Sequence, residues 1–166
     1  MANVTLEGNP MNTIGDLPEI GSEAPDFELT DGQLADIKLS DFASLKRLLN
    51  IVPSLDTPTC ATSTKKFNDF FRGRKDAVAL IVSADLPFAQ GRFCEAEDLN
   101  NVIMLSMMKS RQFAKDYGVL LTDGVLEGLT ARAVVVIDEE GKVIYTQLVG
   151  EIADEPDYDA ALAALA

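Results

Sequence analysis

The chain of 166 residues has no histidine and only two cysteines, Cys60 and Cys94. Without an imidazole, neither Ser-His-Asp or Cys-His catalysis nor a His-ligated metal site can be built within one chain. Two thiols are also too few for a four-thiolate zinc site, so no metal and no cofactor is expected. Positive charge is scarce: 14 Lys and Arg stand against 27 Asp and Glu, a net charge of −13. Such a balance repels nucleic-acid phosphates and anionic lipid head groups. No run reaches the ~20 apolar residues of a membrane span, and MANVTLEGNPMNTIGD carries neither the basic leader nor the apolar stretch of a secretory signal. These absences predict a cytoplasmic protein that engages neither nucleic acid nor membrane.

What is present suits a folded domain. With 47% hydrophobic and 25% charged residues, residues 1–166 are expected to form a single domain, burying roughly two thirds of the surface of the unfolded chain. VTLEG, DFELT and ADIKLS read as short strands, with turns at Asn9-Pro10 and Asp31-Gly32. RLLNIV (Arg47 to Val52), AVALIVS (Ala77 to Ser83) and VIMLS are mostly apolar runs suited to strands buried on both faces. Between them lie helices. From Pro58 to about Arg72, Cys60, Thr64, Phe67 and Phe71 share one face. DLPFAQGRFCEAEDL places Asp85 near a helix start, with Cys94 two to three turns on, and KSRQFAKDYG has Ser110 as a cap and Gly118 as a stop. RAVVVIDEEGKVIYTQLV reads as a hairpin, with Asp138, Glu139 and Glu140 as turn residues, and EPDYDAALAALA as a helix with Pro156 in its first turn. Strands alternating with helices imply an open, mixed α/β sheet covered on both faces.

In "PSLDTPTC", Thr57 is suited to cap the helix and Pro58 to occupy its first position, which makes Cys60 the third helical residue. There, unpaired N–H groups and the positive end of the helix dipole favour thiolate over thiol. The competing reading is of a small apolar residue facing the sheet, since free cysteine is among the most buried residue types. In a reducing compartment, Cys60 and Cys94 are therefore either inert core residues or a redox pair.

Pro53, Thr57 and Cys60 match the Pro-x-x-x-Thr-x-x-Cys motif of peroxiredoxins. "SADLPFAQGRFCEAEDLNNVIMLS", "YGVLLTDGVLEGLTARAVVVIDEEGKVIYTQLV" and "EPDYDAALAAL" resemble the thiol peroxidase subfamily of atypical two-cysteine peroxiredoxins over nearly the whole chain. The resemblance implies a thioredoxin-like fold with an N-terminal β-hairpin addition. It implies Cys60 as the peroxidatic cysteine, Cys94 as the resolving one, and a Cys60–Cys94 disulfide recycled by thioredoxin. Thr57 would hydrogen-bond thiolate and peroxide, Pro53 would shield the sulfur, and Arg132 of "LTARAVVV" would stand beside it. A homodimer and a preference for organic hydroperoxides are likewise implied. An arginine opening a buried run also wants an anionic partner on physical grounds, because an unpaired buried charge is costly.

Two places depart from the family pattern. Thr59 stands where an apolar residue is expected before the cysteine, and "LSMMKSRQF" sets Met107, Met108 and Lys109 in a segment expected near the pocket mouth or a dimer surface, unless the methionines only fill core space. Phe88, Phe93 and the leucines of "VLLTDGVLEGL" are candidates for an apolar pocket wall, with core packing as the alternative. A disulfide needs alpha carbons within about 7 Å, so local unwinding of one or both helices is expected, eased by Gly91 three residues before Cys94. Three functions compete: a thiol-dependent peroxidase, a peroxide-sensing relay that passes the oxidation to a partner, and a thioredoxin-fold binding domain with inert cysteines.

Overall fold

The computed structural model describes residues 1–166. Its centre is a seven-stranded mixed sheet built from β3 (Glu28–Thr30), β4 (Asp36–Lys38), β5 (Lys46–Ile51), β6 (Ala77–Ser83), β7 (Ile103–Ser106), β8 (Ala133–Ile137) and β9 (Val143–Leu148), in the order β4-β3-β7-β6-β5-β8-β9. The β5, β6 and β7 strands run parallel, linked by helices α1 (Pro58–Phe70) and α2 (Pro87–Glu97). Strand β8 pairs antiparallel with β5 and with β9. Two short helices follow their strands: α3 (Gln112–Asp116) and α4 (Tyr158–Ala163). Mixed sheet, flanking helices and element order are those of a thioredoxin-like α/β fold.

Period-two side-chain alternation sends the central strands to two cores. Leu49, Ile51, Leu80, Val82, Val135 and Ile137 join Phe113 of α3, Tyr117 just after it and Phe27 just before β3. Leu48, Ala79, Val134 and Val136 face Phe67 and Phe71 and Ala161 of α4. A smaller cluster lies near the carboxyl end of the parallel strands: Val52, Leu55, Cys60, Ile81, Leu99 and Met104, with Phe93 and Cys94 packed against it.

The added hairpin is present as β1 (Asn3–Leu6) and β2 (Asn9–Asn12), but its turn is Glu7-Gly8 and not Asn9-Pro10. Both turn residues have positive φ, 50° and 83°, the requirement of a two-residue turn that matches strand twist. Pro10 lies within β2 opposite Thr5, where a missing N–H is tolerated only at a position outside the ladder. Side-chain carboxylates dock the hairpin onto the body. Asp123 accepts bonds from the N–H and the side-chain amide of Asn12, both at 2.8 Å. Glu151 accepts from the N–H of Gly8, the hydroxyl of Thr5 and the N–H of Ala153.

Two further local expectations are corrected, and for a third the structure favours one of its two alternatives. Asp85 does not cap α2, whose N-cap is Leu86; its carboxylate turns to the loop after β5. Pro156 precedes the α4 cap, Asp157, which accepts the Ala160 N–H. Met107 is buried in the core on the opposite face from Cys60, Met108 is half-buried, and Lys109 pairs with Asp36 on the edge strand at 2.7 Å. Methionine thus fills core space in that segment, as its unbranched chain allows.

Two outcomes test this architecture. At Gly118 (φ +70°) an added Cβ would collide with the Asp16 carbonyl, so Gly118→Ala should lower stability by ~2 kcal/mol or more. Gly128→Ala, at φ +90° but in open space, should cost only about 1 kcal/mol; urea midpoints distinguish the two. The N–H groups of Asn12 hold the Asp123 carboxyl below its ordinary value, and those of Ala153 and Gly8 do the same for Glu151. Groups lowered on folding contribute above their unfolded values, near pH 4, and lose that contribution as pH falls through the lowered ones. Amide protection of the hairpin should therefore fall on acidification below about pH 4 before that of β5, β6 and β8.

Candidate active site

Cys60 owes its place to a change of chain direction. Val52 still bonds to Val82 after β5 ends, then the buried Pro53 breaks the ladder and residues 54–57 turn into α1. Pro58 opens the helix and Cys60 is its third residue. The Cys60 side chain is 0% exposed. Its carbonyl accepts two hydroxyl bonds, from Ser63 at 3.1 Å and Thr64 at 2.8 Å, and the buried Asn50 amide of β5 supports Ser63 at 3.2 Å.

Thr57 occupies the N-cap position in extended conformation, yet it does not cap. Its hydroxyl donates to the Ser54 carbonyl at 3.0 Å, and its own carbonyl receives the Ala61 N–H. The N–H groups of Thr59 and Cys60 consequently find no acceptor in the protein. The expected bond from Thr57 to the sulfur is likewise absent, because Ser54 takes its hydrogen. The turn satisfies itself and leaves the first helical donors available to a bound oxygen.

Arg132 arrives from far along the sequence through strand register. Ile51, the last residue of β5, pairs with Ala133, the first of β8. The residue before Ala133 must then lie beside the loop that leads into α1. Arg132 is 1% exposed, donates from Nη2 to the Cys60 sulfur at 3.2 Å, and from Nε to the Ile152 carbonyl at 2.9 Å. Its Nη1 has no acceptor in the protein. No carboxylate is hydrogen-bonded to this guanidinium. Glu155, whose field reaches Arg132 and Tyr158, is bound instead to Lys66 at 3.0 Å and to the Tyr158 hydroxyl at 2.8 Å.

A backbone strap after β9 supports both sides. Its Ile152 carbonyl holds Arg132, and its Ala153 carbonyl accepts the Thr59 hydroxyl at 2.8 Å. The strap is itself fixed to β1: Thr5 donates to the Gly150 carbonyl and Ile152 donates back to Thr5. Thr59, a departure from the expected apolar residue, therefore has a partner. Glu151 and the strap carbonyls escaped sequence reasoning, since backbone acceptors carry no residue signature and Glu151 lies in an ordinary acidic stretch.

Cys94 lies on α2, half-buried against the same apolar cluster as Cys60, and both thiols are free. Burial pushes the Cys94 thiol up from its ordinary value, so it is held as thiol at neutral pH. Phe93 packs into the cluster, whereas Phe88 is 67% exposed. Leu121 is a core residue, and Leu120 and Leu126 pack against clusters that do not include Cys60. No group of three or more His, Cys, Asp or Glu stands close enough to hold a metal ion. No helix is long and apolar enough to cross a membrane.

The Redoxin family model matches residues 19–162. Over 165 residues, 99% of this chain and 99% of each relative, the sequence is 53% identical to thiol peroxidases of Mycobacterium bovis and Mycobacterium tuberculosis. A peroxiredoxin-like protein from Aquifex aeolicus superposes with a TM-score of 0.94 at 42% identity, covering 99% of this chain and 96% of that one. The thiol peroxidase from Chromobacterium violaceum superposes with a TM-score of 0.91 at 27% identity, with the same coverages. With a family model matching residues 19–162 and relatives 53% identical over 165 residues, the chain belongs to the Redoxin family, among its thiol peroxidases.

Proposed function

We propose that Cys60 is the peroxidatic sulfur of this thiol peroxidase and Cys94 the resolving one, acting on hydroperoxides, organic ones above all, with thioredoxin as reductant. The observation that carries this reading is the buried guanidinium of Arg132, 3.2 Å from the Cys60 sulfur and without a carboxylate of its own. A cation so placed faces both the nucleophilic sulfur and the oxygens on which charge develops during attack.

The thiolate attacks the terminal oxygen of ROOH; the S–O bond forms as the O–O bond breaks, giving Cys60 sulfenic acid and an alkoxide that takes a proton from water. Arg132 and the free N–H groups of Thr59 and Cys60 are fixed donors for the charge that develops on those oxygens. Thr57 joins them once its hydroxyl exchanges the Ser54 carbonyl for peroxide, and Pro53 closes the sulfur off from water. The sulfenic acid then condenses with the Cys94 thiol, forming the disulfide and releasing water. A dithiol reductant returns both sulfurs to thiols by exchange through a mixed disulfide.

Support for organic hydroperoxides comes from the apolar neighbours of Cys60, among them Val52, Leu55 and the half-buried Phe93. Residues 1–166 act as one catalytic domain, assembled as a homodimer in a reducing cytoplasm that keeps both cysteines free.

In a coupled assay with thioredoxin, thioredoxin reductase and NADPH, Cys60→Ser should abolish consumption of cumene hydroperoxide; normal turnover by this variant would overturn the assignment. Cys94→Ser should reduce about one equivalent of peroxide quickly and then stall, whereas a wild-type protein that itself stalled after one equivalent would be a sensor. Arg132→Lys should lower kcat/KM for peroxide by roughly 10²-fold or more with the fold retained, because a point ammonium cannot reproduce the guanidinium fork.

A further inference from the structure

The two thiols sit on helices that begin at adjacent loops, and one carboxylate fastens those loops together. Asp85 lies between β6 and α2. Its Oδ1 accepts the Ser54 hydroxyl at 2.8 Å, and its Oδ2 accepts the Leu55 N–H at 2.7 Å and the Ser83 hydroxyl at 2.8 Å. Ser54 and Leu55 belong to the loop that delivers Cys60. On the other side, the Ser83 oxygen accepts the Gln90 amide of α2 at 3.1 Å, and the same amide donates to the Leu105 carbonyl of β7. Ser106 donates to the Asp85 carbonyl. The buried Gln90 thus ties α2 to the same carboxylate that holds the entrance of α1.

We propose that Asp85 is a positioning residue that holds Cys60 in the conformation for attack and must release it for resolution. This rests on the assignment of Cys60 and Cys94 as the peroxidatic and resolving pair. While Asp85 grips Ser54 and Leu55, the turn at residues 54–57 is fixed and Cys60 stays buried against Arg132. That geometry favours the first chemical step, in which the sulfur must meet the peroxide oxygen in line. It opposes the second. A disulfide requires the two Cβ atoms within about 4 Å and a defined torsion, whereas Cys60 is 0% exposed with its sulfur engaged by Arg132, and Cys94 is a separate free thiol on α2.

The covalent balance of that step is complete without any further reactant. Cys60 sulfenic acid and Cys94 thiol give one S–S bond and one water, the thiol losing its proton to the departing hydroxyl. Asp85 takes no part in the chemistry; it sets how often the loop is open when the sulfenic acid is present. Weakening the clasp therefore shifts the two steps in opposite directions, which loss of stability alone does not do.

The experiment is rapid mixing with cumene hydroperoxide. Sulfenic acid formation is followed in a Cys94→Ser background and disulfide formation in the two-cysteine enzyme, alongside hydrogen exchange by mass spectrometry without peroxide. Asp85→Ala is expected to raise amide exchange of residues 54–61 ~10-fold, slow sulfenic acid formation ~10-fold, and speed disulfide formation several-fold. Asp85→Asn, which keeps an acceptor for the Leu55 N–H, and Ser54→Ala, which removes one hydroxyl, should give the same opposed shifts at smaller size; they carry the test should Asp85→Ala not fold. Unchanged rates, or two steps that slow together in proportion to a lowered Tm, would overturn the clasp. A wild-type enzyme whose Cys60 is left unmodified by peroxide would overturn the underlying assignment, and that is seen before any variant is made.

Discussion

A guanidinium nearly out of contact with solvent must be met by fixed acceptors or by a concentrated negative charge, because an uncompensated buried ion costs several kcal/mol. Arg132 has one neutral acceptor, the Ile152 carbonyl, and one sulfur. Glu155, the nearby carboxylate, is occupied by Lys66 and Tyr158. The arrangement leaves the Cys60 sulfur as the one side-chain partner of this cation. Were a carboxylate bonded to Arg132, the cation would be satisfied and the sulfur would gain little. The chemistry of the site rests on this withheld pairing as much as on the contact itself.

Holding that geometry falls to backbone that carries no chemistry. Register between Ile51 and Ala133 puts Arg132 at the right edge of the sheet. The strap at residues 150–153 then fixes the guanidinium through one carbonyl and α1 through the next, by way of Thr59. The strap is in turn bonded to β1 of the N-terminal hairpin, on both sides of Thr5. The hairpin is remote from the sulfur in sequence, yet it braces the one segment that touches both Arg132 and the first turn of α1. An added element on a thioredoxin-like sheet here supports the site and does not merely cover an edge.

Local patterns made much of this legible from sequence. The apolar runs of β5, β6 and β8 are long enough and bounded clearly enough to read as buried strands, and Pro58 with a polar residue before it marks a helix start whatever lies around it. The eight letters PSLDTPTC therefore suffice to place Cys60 in the first turn of α1. What escaped depends on partners distant in the chain. Thr57 has the residue type of a cap, but its hydroxyl is turned back to donate to the Ser54 carbonyl and accepts no helix N–H, and Ser and Thr commonly make such turns of their own. Asp85 has the type and place of an α2 cap, but three donors from Ser54, Leu55 and Ser83 outweigh one helix N–H. Pro10 has the type of a turn residue, but Glu7 and Gly8 fix the register of the hairpin and leave it in a strand. In each case the side-chain type fits the expected role, and competition among partners decides the outcome.

The loop into α1 is secured differently from the sheet beneath it. After Val52 the ladder ends, and residues 54–60 are held by side chains: Asp85 on Ser54 and Leu55, Thr59 on the strap, and Ser63 and Thr64 on the Cys60 carbonyl. Hydroxyl bonds back to a helix carbonyl weaken a turn slightly, since they compete with the N–H that would otherwise bond there. The N–H groups of Thr59 and Cys60 add two unmet donors to the same turn. A segment built this way can open without breaking a strand pair, because none of its bonds belongs to β5, β6 or β8. In the proposed reaction these bonds align Cys60 for attack, and their separate loss is a local opening and not a global one. For a sulfur proposed to meet two partners in succession, a loop pinned by separable side-chain bonds meets a requirement that continuous sheet could not.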